Sequence, residues 1–237
     1  LDHPTLSQRY FFPRPGRPAQ GVFEVSTLDG NTLVCYRYVR PENRLTVVYY
    51  HGNGETVGDH LPDPARLWTE LGVNLCIVSY RGYGGSTGTP ELARMLEDVP
   101  PVFAALQTPA EKIVVFGRSL GSLYATEFVH RYPRVAGLIL ESGIADPLER
   151  VLLRVRPEEL GGTAEQLRHE VGESLNQERK LTAYSGRTLV LQARGDTLVD
   201  PSHAQRNSAW AGGLLLLFDR GDHNSILALK RVQYFSA

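Results

Sequence analysis

The 237-residue chain contains only two cysteines, Cys35 and Cys76, each inside an apolar run that reads as a buried strand. Two isolated cysteines make neither a disulfide framework nor a thiolate metal site. They read as small core hydrophobes in a reducing, cytoplasmic setting. The sequence also lacks an excess of either charge, since 25 basic and 26 acidic residues leave a net charge of −1. This balance excludes the basic footprint of a nucleic-acid binder and a polybasic membrane anchor. No apolar run approaches the roughly 20 residues of a membrane span. The longest, Leu214 to Phe218, has the length of a strand. Internal repeats and low-complexity tracts are absent too. The chain begins at Leu1 rather than Met, so the sequence leaves open a leader or anchor upstream.

What is present suits one large globular domain: 42% of residues are apolar and 22% charged. Residues 1–20, rich in Pro and Arg, read as a coil wrapping the surface. Gly21–Leu28 and Thr32–Arg40 read as a hairpin around the turn Asp29-Gly30-Asn31. Strands are then expected at Leu45–Tyr50, Val73–Tyr80, Lys112–Phe116, Val135–Leu140, Arg187–Gln192 and Gly213–Phe218. Helical patterns fall at Asp63–Leu71, Pro90–Gln107, Leu120–Arg131, His203–Ala211 and Ser225–Phe235, with Pro100-Pro101 kinking or splitting the second. Alternating strands and helices imply an α/β fold: eight strands, mainly parallel, covered on both faces, with the hairpin as an antiparallel edge. The interval 145–185 is charged, helix-prone and without a strand, and reads as an inserted helical cap.

Gly117-Arg118-Ser119-Leu120-Gly121 fits G-x-S-x-G and lies between a strand and a helix, where a nucleophile elbow belongs. A serine held on so tight a turn needs small neighbours, hence the flanking glycines. Its hydroxyl is a weak nucleophile until a base takes the proton. Where such an elbow is used, an acid and then a histidine follow in the chain. The histidines after the serine are His130, His169, His203 and His223. His130 falls in the elbow helix, His169 in the cap and His203 inside a later helix. His223 follows the last apolar strand and is the expected base. Asp196, at the exit of the preceding strand, is the expected acid. Its rival Asp200, before Pro201, reads as a turn or helix-start residue. The backbone N–H groups of Leu120 and of Asn53, in the loop His51-Gly52-Asn53-Gly54, are the expected oxyanion donors.

In order, His51-Gly52-Asn53-Gly54, the run Tyr80 to Ser86, Gly117 to Gly121, Gly195 to Val199 and Gly221-Asp222-His223-Asn224 resemble the landmarks of the α/β-hydrolase superfamily. The likeness runs from about residue 21 to the end and is greatest to the serine-aminopeptidase-like branch, which includes some protein depalmitoylases. One departure is Asp200 after Val199, where that branch often has proline. The resemblance implies a serine hydrolase needing no cofactor and no metal, and leaves the substrate open. The glycine-rich Arg81–Gly88 lacks the lysine of a phosphate loop, and the resemblance makes it a structural turn near the site; Tyr83 either lines the pocket or packs in the core, the latter being the expected role.

Two further residue groups bear on substrate. Arg118, beside the nucleophile, either steers an anionic substrate or pairs with an acid such as Glu141, the latter being the expected role. In the cap, Arg150, Arg154, Arg156, Glu158, Glu159, Arg168 and Glu170 alternate with leucines and valines, as amphipathic helices with a solvated face do. A bulk-lipid substrate would call for a greasier cap. The expected reaction is hydrolysis of a small-molecule carboxylic ester or thioester through an acyl-enzyme. An aminopeptidase or amidase is the alternative, needing a cap acid such as Glu158, Glu159 or Glu173 to hold an amine. A non-catalytic binding module is the other, against which stands the filling of every expected catalytic position. The oligomeric state is not readable.

Overall fold

The computed structural model describes residues 1–16, 20–61, 66, 68 and 70–226. Eight strands form one sheet: β1 (Val22–Ser26), β2 (Thr32–Tyr38), β3 (Thr46–Tyr50), β4 (Asn74–Val78), β5 (Ile113–Arg118), β6 (Gly137–Glu141), β7 (Thr188–Ala193) and β8 (Leu214–Phe218). Their order is β1-β2-β4-β3-β5-β6-β7-β8. β2 is antiparallel to β1 and to β4, and every other neighbour is parallel. This is the mainly parallel sheet with an antiparallel edge that the sequence predicts.

β3 and β4 are buried at every position, as strands covered on both faces must be. Alternation of side chains divides the core in two. Tyr49, Phe116, Leu75 and Ile77 pack on one face, while Tyr50, Val48, Val115 and Cys76 pack on the other. Both cysteines are free and buried, on the neighbouring strands β2 and β4.

The chain opens with a helix, α1 (Pro4–Tyr10), which corrects the expectation of coil over residues 1–20. His3 caps it by accepting the N–H of Thr5, and Pro4 sits in its first turn. Leu6 and Tyr10, one turn apart, are buried with Leu1 and Phe11. Most of the prolines and arginines that suggested coil lie beyond this helix, from Pro13 onward, and only Pro4 and Arg9 fall within it.

The segment expected to split at Pro100-Pro101 does split. A 3-10 turn, Arg94–Asp98, is followed by α2 (Val99–Leu106), which takes both prolines in its first turn, where no intrahelical N–H is needed. α3 (Gly121–Arg131) follows β5 and is buried on nearly all sides. Between β6 and β7 lie α4 (Pro147–Leu152), a 3-10 turn at Pro157–Leu160, α5 (Ala164–Ser174) and α6 (Gln177–Thr182). α7 (Pro201–Ala211) precedes β8. Most of the helix expected at 63–71, and nearly all of that at 225–235, lies outside the described residues. Among the described residues, no helix is long and apolar enough to cross a membrane.

Candidate active site

Ser119 occupies the turn between β5 and α3 with φ +50°, in the left-handed region that costs a side-chain-bearing residue roughly 1–3 kcal/mol. The flanking glycines have a steric cause. A Cβ on Gly117 would lie 2.6 Å from the Cα of Ser122, and one on Gly121 would lie 2.1 Å from the Tyr50 carbonyl oxygen. The Ser119 N–H donates to Glu141 O at 2.9 Å, fixing the turn to the end of β6. Ser122 Oγ donates to Ser119 O at 2.6 Å and accepts from the Ile144 N–H at 2.8 Å.

His223 lies in the loop after β8. Its Nδ1 is 2.8 Å from Asp196 Oδ2 and its Nε2 is 3.0 Å from Ser119 Oγ. A carboxylate only accepts, so Nδ1 carries the proton and Nε2 is left to accept from the serine hydroxyl. Asp196 is buried at the exit of β7. Its Oδ1 takes the N–H groups of Leu198 and Val199, both at 2.9 Å, and its Oδ2 also accepts from Gln192 Nε2 at 3.0 Å. Burial opposes its ionisation, but the hydrogen bonds and the histidine outweigh burial and hold the carboxyl down to about 2. The structure thus brings Ser119, His223 and Asp196 into one hydrogen-bonded row.

The rivals sit elsewhere. Asp200 is exposed and caps α7 by accepting the Ser202 N–H at 2.9 Å. His203 is buried and accepts the Ala145 N–H at 3.0 Å, tying α7 to the start of the helical insertion. His130 and His169 are exposed.

Ser119 and His223 line a pocket of about 200 Å³ together with Asn53 and Leu120, the residues expected to present oxyanion donors. The Asn53 side chain is fully engaged: Oδ1 accepts the Phe12 N–H at 3.0 Å and the Tyr83 hydroxyl at 2.7 Å, and Nδ2 donates to Tyr10 O at 2.5 Å. These bonds fix the loop that carries the Asn53 backbone N–H. Tyr83 is fully buried, as expected for a core residue.

Arg118 has the structural role. It is buried, and Nε donates to Glu141 Oε1 at 3.1 Å, its partner across the β5–β6 register. Nη1 pairs with Glu55, and Nη2 donates to His223 O at 2.6 Å and Asn224 Oδ1 at 2.9 Å. Glu55 Oε2 in turn accepts the Gly52 N–H at 2.7 Å. The two carboxylates raise the affinity of the guanidinium for its proton despite burial.

Sequence reasoning missed several pocket residues. Tyr10 and Phe12 reach it from the N-terminal segment, and no local pattern announces a contact made across the fold. Glu55, missed too, is not a lining residue but the partner of Arg118, and could have been suspected from its place three residues after Gly52. Arg150 and Arg154, read as members of a solvated face, are half-buried and exposed respectively, and both also line the pocket.

The sequence profile of a family described as serine aminopeptidase, S33, matches residues 41–185. Among curated proteins, the chain is 35% identical over 127 residues to protein bem46 of Schizosaccharomyces pombe, covering 50% of this chain and 42% of that protein. It is 32% identical over 133 residues to alpha/beta hydrolase domain-containing protein 17C of Xenopus tropicalis, covering 54% and 42%. The matched stretch therefore spans less than half the length of these relatives. Among solved structures, an esterase of Pyrococcus furiosus superposes with a TM-score of 0.73 at 17% identity, covering 94% of this chain and 95% of that one. The esterase RhEst1 of Rhodococcus superposes with a TM-score of 0.68 at 16% identity, covering 92% and 96%. At such identities the likeness is one of fold, the α/β-hydrolase fold.

Proposed function

The chain belongs to the serine aminopeptidase S33 family of α/β-hydrolases, and we propose that it is a serine hydrolase cleaving a carboxylic ester or thioester through an acyl-enzyme on Ser119. The observation that carries this reading is the row from Asp196 through His223 to a Ser119 hydroxyl held on a strained turn.

In the first half-reaction, Ser119 Oγ attacks the substrate carbonyl carbon and its proton passes to His223 Nε2. The carbonyl electron pair moves onto oxygen, where the backbone N–H groups of Asn53 and Leu120 receive the charge. Asp196 keeps the Nδ1 proton in place and stabilises the imidazolium without taking the proton. Collapse breaks the bond to the leaving alcohol or thiol, which takes the Nε2 proton. Water then repeats the sequence on the acyl-serine, releasing the acid and restoring the hydroxyl. No metal or cofactor enters these steps.

The pocket lining favours esters over aminopeptidase substrates. Holding a substrate ammonium calls for a carboxylate, and none of the described lining residues is one. Of the cap acids considered, Glu159 is engaged by Arg9 and by the Arg156 N–H, and Glu158 and Glu173 lie off the pocket.

The test is a fluorophosphonate probe read by intact mass on wild type and Ser119→Ala, followed by a panel of esters, thioesters and amides. Stoichiometric labelling is expected in wild type and none in the variant, with turnover lower by about a thousandfold or more. An unlabelled but folded wild type, or a variant that keeps its turnover, sinks the proposal.

A further inference from the structure

The pocket beside Ser119 is lined by Arg118, Arg150 and Arg154, and by no carboxylate among the described residues. In a chain of net charge −1 this is a local excess of positive charge. Arg118 does not supply it, because Glu55 and Glu141 neutralise that guanidinium.

Arg150 and Arg154 are in a different position. The acids just before them in sequence are engaged elsewhere: Asp146 and Glu149 lie 3.7 and 3.9 Å from the Arg206 guanidinium, and Glu149 also reaches His203. The following arginine, Arg156, has its own partner in Glu159 at 3.7 Å. No ion pair among the described residues takes Arg150 or Arg154. The two are spaced four apart, on the end of α4 and the turn after it. The Arg154 guanidinium stands 5.4 Å over the ring of Phe12, itself a lining residue. Burial pushes the phenol of Tyr10, on the same wall, up to about 12, while both guanidinium charges act in the opposite direction. Two cations without a carboxylate partner, on the wall of a small pocket beside Ser119, have the chemistry to hold an anion.

We propose that Arg150 and Arg154 bind a carboxylate or phosphate group carried by the substrate that Ser119 attacks, so that the preferred substrates are anionic esters or thioesters. This rests on the serine-hydrolase reading above. It also gives the helical insertion a role in specificity.

The experiment compares three esters of one leaving group: p-nitrophenyl butyrate, p-nitrophenyl hemisuccinate and p-nitrophenyl β-phosphonopropanoate. The first is neutral and the others end in a carboxylate or a phosphonate. Wild type is expected to favour at least one anionic ester by about tenfold in kcat/KM, with the preference fading as salt is raised. Which of the two leads identifies the anion. In Arg150→Gln/Arg154→Gln the ratio should fall to about one, and in Arg150→Glu/Arg154→Glu it should invert. Arg44→Gln, at an exposed arginine absent from the pocket lining, should keep it. A wild type that handles neither anionic ester better than butyrate overturns the proposal, as does a preference that survives Arg150→Gln/Arg154→Gln. If no ester is turned over and Ser119 does not label, the hydrolase reading itself fails and this one with it.

Discussion

Arg118 Nη2 donates to the backbone carbonyl of His223 at 2.6 Å, across 105 positions of sequence. The same guanidinium reaches Glu141 at the end of β6 and Glu55, which holds the Gly52 N–H. One buried cation therefore joins three loops: the one carrying Asn53, the one carrying Ser119 and the one carrying His223. Gly52 is glycine for the same reason, since a Cβ there would lie 2.5 Å from Arg118 Nη1.

Arg118 is on this evidence a positioning residue. Arg118→Lys keeps the charge but loses the planar fork that serves three partners at once. The expected result is a kcat lower by about ten- to a hundredfold with KM changed less than about twofold, because a base loop displaced by a fraction of an ångström misaligns Nε2 against Oγ. Arg118→Met should in addition destabilise the fold by about 3–5 kcal/mol, since Glu55 and Glu141 lose their shared cation. Steady-state kinetics and urea melts separate the two effects. A raised KM for anionic esters at constant kcat would instead place Arg118 on the substrate.

The choice of Asp196 over Asp200 is open to a direct comparison. Asp196→Asn should lower kcat by about 10⁴, because an amide no longer selects the Nδ1–H tautomer of His223. Asp200→Asn should leave kcat within about twofold, since that side chain caps α7 and asparagine caps as well as aspartate. Equal losses in the two variants would contradict the assignment.

Much of this was readable from sequence because parallel α/β architecture imposes strong local patterns. Runs such as Thr46-Val47-Val48-Tyr49-Tyr50 are largely β-branched and aromatic, and buried at every position, because both faces of the sheet are covered. Ser119 was legible because glycine at 117 and 121 is forced by contacts a few ångströms away. Asp196 and His223 were legible because each lies in the loop that follows a strand, at the carboxyl ends of the parallel strands. The contacts of α1 and of Arg150 and Arg154 were not. A seven-residue helix leaves little periodicity, and whether an exposed-looking arginine faces solvent or a pocket depends on how an insertion folds back over the sheet. Local pattern carries no record of that.

A pH dependence of stability follows from His51. It is fully buried at the start of the loop that carries Asn53, and burial pulls its imidazole down to about 4 against the favourable Gly52 carbonyl. Between the usual histidine value and about 4, the unfolded chain binds a proton that the folded chain refuses. Stability is therefore full near neutral pH and falls as pH drops through that window, by up to about 3 kcal/mol. Asp196 acts lower, its contribution being lost as pH falls from the ordinary carboxylate range to about 2. Urea unfolding near neutral pH and at about pH 4.5 measures the first window. His51→Gln should flatten that slope whatever it does to stability at neutral pH, and an unchanged slope would remove His51 as its source.

The strained turn makes a prediction of unusual sign. In the interior of a helix or strand glycine is less stable than alanine by roughly 0.5–1 kcal/mol. At position 119, with φ +50°, the order should reverse. Ser119→Ala keeps a Cβ in the left-handed region, whereas Ser119→Gly removes the penalty there. Part of that gain is offset because glycine gives the unfolded chain more freedom. The net expectation is that Ser119→Gly is more stable than Ser119→Ala by about 1 kcal/mol, with both inactive. Thermal melts of the two variants decide it. A less stable Ser119→Gly would mean that the turn is not strained in the free protein.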